Sequence, residues 1–146
     1  ILYIDLDNFK YCNDTFGHDI GDLMLKKLSS LFTEIVGNKG YCVRYGGDEF
    51  IIVLPGSSTE FGIKISKQIY KKIEENGYFI NDIANALKRP IEIDAQHRIS
   101  CSIGISTSQK YNQESIMECL KHADSALYDI KKGTKHDFKV WQKVQK

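Results

Sequence analysis

Three carboxylates pose the chemical question in this 146-residue chain: Asp5, just after the opening apolar run, and the adjacent pair Asp48 and Glu49. Neither histidine nor cysteine accompanies them at a ligand spacing. Oxygen donors alone suit a hard divalent cation, Mg²⁺ or Mn²⁺, rather than zinc, and clustered acids repel one another unless a cation or a proton lies between them. A divalent ion held there would activate a hydroxyl nucleophile or neutralise charge on a leaving group. Gly46-Gly47-Asp48-Glu49 also has a plain structural reading, because glycine and acids are ordinary hairpin-turn residues. Taken alone, the segment divides evenly between the two.

Whether the acids meet depends on the elements that carry them. Ile1 to Ile4 is an apolar β-type run leading into Asp5-Leu6-Asp7, the pattern of a central strand with acids at its carboxyl end. Tyr41 to Tyr45 and Phe50 to Leu54 are short β-type runs on either side of the glycine-acid segment, which predicts a hairpin. If the first strand neighbours that hairpin, the three acids converge.

After a polar loop, Ile20, Leu23, Met24, Leu28, Leu31, Phe32 and Ile35 follow a helical period. Asp19 and Asp22 lie near the positive end of that helix, and Gly37 stops it. Ser57 with Glu60 predicts a capping box opening a helix that carries Phe61, Ile65, Ile69 and Ile73. Tyr78 to Lys88 reads as a shorter helix. Pro90 to Ile93 and Arg98 to Ser106 read as strands, the second with a buried face and a polar one. A last helix carries Ile116, Leu120, Ala123, Leu127 and Ile130, and a short strand follows at Phe138 to Trp141. This mixed order points to an α+β fold, a central, mostly antiparallel sheet flanked by helices, rather than a doubly wound one.

Bulk properties narrow the classes. With 42% hydrophobic residues the chain supports one packed core, and one domain over 1–146 is expected. Lys plus Arg number 20 against 19 acids, a balance that offers nothing to a nucleic acid or other polyanion. Cys12, Cys42, Cys101 and Cys119 form no Cys-x-x-Cys pair and read as reduced cytoplasmic thiols. No apolar run approaches the ~20 residues of a membrane span, so direct membrane contact is not expected. The chain opens inside a strand, which reads as a piece of a longer multidomain protein lacking its lead-in and possessing other domains, membrane-anchored ones included.

The segment from Asp5 to Asp22, with Arg44-Tyr45-Gly46-Gly47-Asp48-Glu49-Phe50, Ser102 to Ser106 and Ala123 to Tyr128, resembles the GGDEF domain of diguanylate cyclases in wording, order and spacing. The resemblance covers essentially the whole chain. It implies a nucleotidyl-cyclase or palm-like fold and condensation of two GTP molecules into cyclic di-GMP across a homodimer. It implies metal ligation by Asp5, Asp48 and the Leu6 carbonyl, with Glu49 assisting the metal or the ribose hydroxyl. Gly46 and Gly47 would let the backbone approach the triphosphate, and Phe9 with Lys10 would form a loop against the phosphates. Asn13 and Asp22 would read guanine: a carboxylate accepts from its N1 and N2 hydrogens and finds no N1 hydrogen on adenine. Asp7 and His18 read as structural.

Two departures from the family pattern stand out. Lys131 matches a phosphate-binding lysine, but Thr134, Lys135 and His136 replace the family's glycine, arginine and asparagine. Lysine at 135 keeps the charge and loses the bidentate fork. The stretch Gly37-Asn38-Lys39-Gly40 occupies the place of the family's Arg-x-x-Asp inhibitory site and has neither charged residue, so product inhibition through that site is not expected. Two other readings stay open: a GTP-binding regulatory module for an attached EAL-type phosphodiesterase, favoured by the altered stretch and by Lys88-Arg89-Pro90-Ile91, and a different palm-type nucleotidyl transferase.

Overall fold

The structure, a computed structural model, describes residues 1–108, 115–133 and 135–142. Five strands, β1 (Leu2–Asp7), β2 (Tyr41–Arg44), β3 (Glu49–Val53), β4 (Ser100–Ile105) and β5 (Phe138–Val140), form one sheet in the order β2-β3-β1-β4-β5. All neighbours are antiparallel except β4 and β5, which run parallel. The helices are α1 (Phe9–Phe16), α2 (His18–Val36), α3 (Thr59–Glu75), α4 (Ile80–Leu87) and α5 (Ile116–Lys131). The expected α+β architecture is thus present, with one parallel pair at the edge.

Strand periodicity sorts β1 into two faces. Leu2, Ile4 and Leu6 join Phe50, Ile52, Cys101 and Ile103 in the main core, which α2 and α3 close with Leu28, Phe32, Ile65 and Ile69. Tyr3, Asp5 and Asp7 lie on the opposite face. There Tyr3 packs with Ile51 of β3 and with Ala123 and Leu127 of α5. Burial of β1 on both sides explains why its sequence opens as an uninterrupted apolar run.

Three expectations are corrected. The polar loop after β1 is the helix α1, entered through Asn8 in a left-handed conformation (φ 64°). Asn8 is pinned there because its side-chain amide donates to the carbonyls of Gln96 and Arg98 at 3.0 and 2.8 Å. The cap of α3 is Ser58 rather than Ser57, its hydroxyl accepting from the Phe61 amide at 3.3 Å. Pro90 to Ile93 forms no strand; β1 and β5 already occupy both edges of β4, and Ile93 is buried instead.

The polar face of β4 is not solvated either. Ser100, Ser102 and Ser106 are buried, and a Cβ on Gly104 would lie 1.9 Å from the Ala123 carbonyl oxygen. Small residues there let α5 lie directly on the sheet. A capping box between Ser115 and Glu118 starts that helix, and its last residue, Lys131, ends at the row of acids.

Candidate functional site

The site is assembled at the carboxyl end of β1. Asp5 pairs with Glu49 of β3 on one side and Ser102 of β4 on the other. The ladder between β1 and β3 continues into the hairpin tip, where the Leu6 amide donates to the Asp48 carbonyl at 3.0 Å. The tip itself is held by Arg44, whose guanidinium donates to the Gly46 carbonyl at 3.2 Å and to that of Gly47 at 2.8 Å. Leu6 is buried in the core through its side chain, so only its main chain belongs to the site. The three acids expected to meet therefore sit on adjoining strand ends.

Their surroundings differ. The Tyr3 hydroxyl, two residues before Asp5 on the same face, donates to Glu49 Oε1 at 3.3 Å. Burial, followed by the Glu49 charge, raises the Tyr3 pKa above its ordinary value, which keeps that donor protonated. A Cβ at Gly46 would come within 2.7 Å of Glu49 Oε2, so a side chain there would displace the Glu49 carboxylate. Around Gly47 there is open space.

Asp5 is half buried, and desolvation pushes its pKa up. Lys131 pulls it down, Asp48 and Asp7 push it up again, and the net shift is upward. Lys131 donates to Asp5 Oδ1 and, at 3.1 Å, to Asp7 Oδ1. Burial opposes the ammonium charge, yet the two carboxylates hold Lys131 above the ordinary lysine value.

An oxygen-only donor set at a half-buried strand end, where one carboxylate feels two others, fits a hard divalent cation. Among the described residues, no three His, Cys, Asp or Glu side chains form a ready metal-holding cluster; Lys131 and Tyr3 engage Asp5 and Glu49 instead.

The helices α1 and α2 meet at Gly17. Phe9 and Lys10 occupy the first turn of α1, which no side chain caps and which follows directly on the carboxyl end of β1. Phe9 packs its ring against the core, and the Lys10 ammonium pairs with Asp14 at 2.5 Å.

Asn13 lies on α1 and Asp22 on α2. A Cβ on Gly21 would fall 1.8 Å from Asn13 Oδ1, so the missing side chain is what admits the asparagine against α2 next to Asp22. Asp22 is exposed. Lys135 and His136 both adopt positive φ, 49° and 52°, and Lys135 is exposed. Thr134 lies outside the described residues. Tyr3 escaped the sequence reading, and Asp7, read there as structural, is buried beside Asp5; each is two residues from Asp5, the strand spacing that signals a shared face.

A family model described as diguanylate cyclase, GGDEF domain, matches residues 1–137. The chain belongs to the GGDEF domain family. It is 33% identical over 134 residues to diguanylate cyclase A of Treponema denticola, covering 91% of this chain and 32% of that protein. It is also 30% identical over 142 residues to the cyclic di-GMP phosphodiesterase PdeR of Escherichia coli, covering 97% and 19%. The active GGEEF domain of a Vibrio cholerae diguanylate cyclase superposes with a TM-score of 0.73 at 28% identity, covering 97% of this GGDEF chain and 81% of that one. The chain thus spans a third or less of the two curated relatives named. Among the described residues, no helix is long and apolar enough to cross a membrane.

Proposed function

We propose that this GGDEF domain is a diguanylate cyclase that condenses two GTP molecules into cyclic di-GMP and two pyrophosphates. The observation that carries the proposal is the pairing of Asp5 with Glu49 beside Asp48; Asn13 lies on α1 and Asp22 on α2. Asp5, Asp48 and the Leu6 carbonyl would hold Mg²⁺ or Mn²⁺, assisted by Glu49. Such ions supply activation of the attacking hydroxyl and neutralisation of the leaving pyrophosphate.

In each of two steps the ribose 3′-oxygen of one GTP bonds to the α-phosphorus of the other, its proton departs, and the bond to pyrophosphate breaks. Asn13 and Asp22 orient the guanine, Gly46 and Gly47 admit the triphosphate to the backbone, and the first turn of α1 with Lys131 and Lys135 meets the phosphates. Each domain carries one such set, and the product is two-fold symmetric, so two domains must face each other with one GTP apiece. The chain acts as one domain of a longer protein, consistent with the length of its relatives. The thiols of Cys12, Cys42 and Cys101 agree with the reducing cytoplasm, where GTP is at hand.

The test is incubation with GTP and Mg²⁺ in a fusion that enforces dimers, reading products by mass. Cyclic di-GMP is expected, and none should form with Asp48→Ala or Glu49→Ala. The altered Lys135 and His136 and the phosphodiesterase relative favour a second reading, a GTP-binding regulator of an attached phosphodiesterase. Saturable GTP binding without pyrophosphate release would select it and defeat the cyclase. No inhibition by product through Gly37 to Gly40 is expected, and non-competitive inhibition by added cyclic di-GMP that Lys39→Ala abolishes would contradict this.

A further inference from the structure

Asp7 is a carboxylate without solvent: its side chain is fully buried. Its oxygens accept from Ser102 Oγ at 3.0 and 2.9 Å, from Lys131 Nζ at 3.1 Å and from the His136 main-chain amide at 3.1 Å. Those donors come from three places: β4, the last residue of α5 and the turn that leads into β5. A buried carboxylate with so many donors fixes whatever donates to it. What it fixes is the stretch expected to meet the phosphates of GTP.

We propose that Asp7 is the positioning residue of the polyphosphate site, acting through Lys131 and the Lys135–His136 turn; this rests on the GTP-binding reading above. Lys131 lies between Asp5 and Asp7 and would otherwise be a long, mobile cation at a helix end. With Asp7 behind it, the ammonium is placed over the strand end before any nucleotide arrives, so the ordering cost is met in folding rather than in binding.

The same carboxylate bears on the departure at 136. It binds the main-chain amide of that residue, a contact open to asparagine and histidine alike, and the His136 ring adds its own, with Nδ1 3.4 Å from Asp7 Oδ2. The amide bond also restrains two consecutive non-glycine residues at positive φ, a backbone state that persists only where its surroundings impose it. The turn therefore presents the Lys135 ammonium from a defined main chain even without arginine.

The experiment compares wild type, Asp7→Asn, Lys131→Met and the double variant. Affinity for a GTP analogue with a methylene between the α- and β-phosphorus is measured in Mg²⁺, with thermal unfolding of each variant. Asp7→Asn is expected to weaken the analogue about tenfold, by the loss of one charge-assisted placement, while guanosine, lacking phosphates, binds as before. In the Lys131→Met background the same change should cost less than about threefold, because residues acting as a unit are not additive.

Equal analogue affinity for wild type and folded Asp7→Asn would overturn the proposal, as would full additivity with Lys131→Met. If Asp7→Asn fails to fold, Ser102→Ala, which removes one donor and keeps the acid, takes its place: a weakening confined to the analogue supports the proposal, and none overturns it. Absence of analogue binding by the wild type would instead defeat the GTP-binding reading itself.

Discussion

The side-chain oxygen of Asn13 sits 1.8 Å from the point where Gly21 would carry a Cβ. One helix of the α1–α2 pair thus reserves space for the other's polar side chain. Replacing glycine by alanine inside a helix normally stabilises it by about 1 kcal/mol. At position 21 the added methyl must evict Asn13, so the two effects oppose each other in stability while function receives only the loss. Gly21→Ala is expected to leave the melting temperature nearly unchanged and to weaken GTP binding about tenfold, the worth of one displaced hydrogen-bonding group. Calorimetric titration with GTP and with ATP checks this, since the discrimination between the two should shrink as well. Unaltered selectivity would mean that Asn13 does not read the nucleotide.

Gly104 makes the opposite case, one of stability without a site. A Cβ there would meet the Ala123 carbonyl oxygen at 1.9 Å and the Leu127 amide nitrogen at 2.7 Å. Both are main-chain atoms of α5, which have no rotamer to escape into. Gly104→Ala should therefore lift α5 from the sheet and cost about 3 kcal/mol, at the upper end of overpacking penalties, read as a lower midpoint in urea. Gly62, whose Cβ would find only ordinary contacts at 3.4 Å, serves as the control. Equal stability of the two variants would refute this account of why β4 is made of small residues.

These two glycines also show where the sequence stops being legible. Strand β1, the hairpin and the long helices follow from period, turn chemistry and apolar runs; the meeting of Asp5 with Glu49 needed the pairing of β1 with β3, which the sequence left conditional. The alternation of Ser100, Ser102 and Gly104 with Cys101, Ile103 and Ile105 carries the correct period. Its polarity alone cannot separate a face in water from one against a closely packed helix backbone. Helix α1 was hidden by its polar residues Lys10, Asn13, Asp14 and Thr15; its inward spacing of Phe9, Cys12 and Phe16 was available and short. The absent strand at Pro90 to Ile93 depended on which edges of β4 were already taken, a property of the whole sheet. Asp7 looked structural in the sequence, and its structural role is what brings Lys131 to Asp5.

The thiols respond to the same burial. Cys12 is 1% exposed and its pKa is pushed up to about 11 by desolvation. Desolvation raises Cys42 as well, against an opposing hydrogen bond involving Thr33. A raised thiol pKa leaves little thiolate near neutrality, and the thiolate is the nucleophile. At pH 8 the folded protein should react slowly with a disulfide reagent, Cys42 ahead of the others as the one cysteine not fully buried. All four should react at once in guanidinium. Raising the pH should accelerate Cys12 continuously up to about its pKa of 11, as long as the fold survives. Prompt labelling of Cys12 at neutral pH would show that the β1 and α1 core opens far more readily than its packing implies.

Backbone strain separates positions that serve the site from those that do not. Lys88 ends α4 with φ 55°, and Lys135 precedes β5 with φ 49°; both are exposed. A left-handed residue with a Cβ costs about 1–2 kcal/mol, while glycine gives back 0.4–1 kcal/mol, roughly, through the unfolded chain. Lys88→Gly and Lys135→Gly should each stabilise the fold by about 0.5 kcal/mol, a rise of ~1–2 °C in Tm. Their effects on nucleotide binding should differ. Lys88 only completes a helix end, its amide bonded to the Asn85 carbonyl at 3.2 Å, and its replacement should leave GTP affinity untouched. Lys135 gives up a cation expected at the phosphates, so the gain in stability should accompany a loss of affinity that shrinks as salt is raised. Parallel melts and GTP titrations at two ionic strengths decide the matter, and salt-independent binding by Lys135→Gly equal to wild type would remove Lys135 from the site.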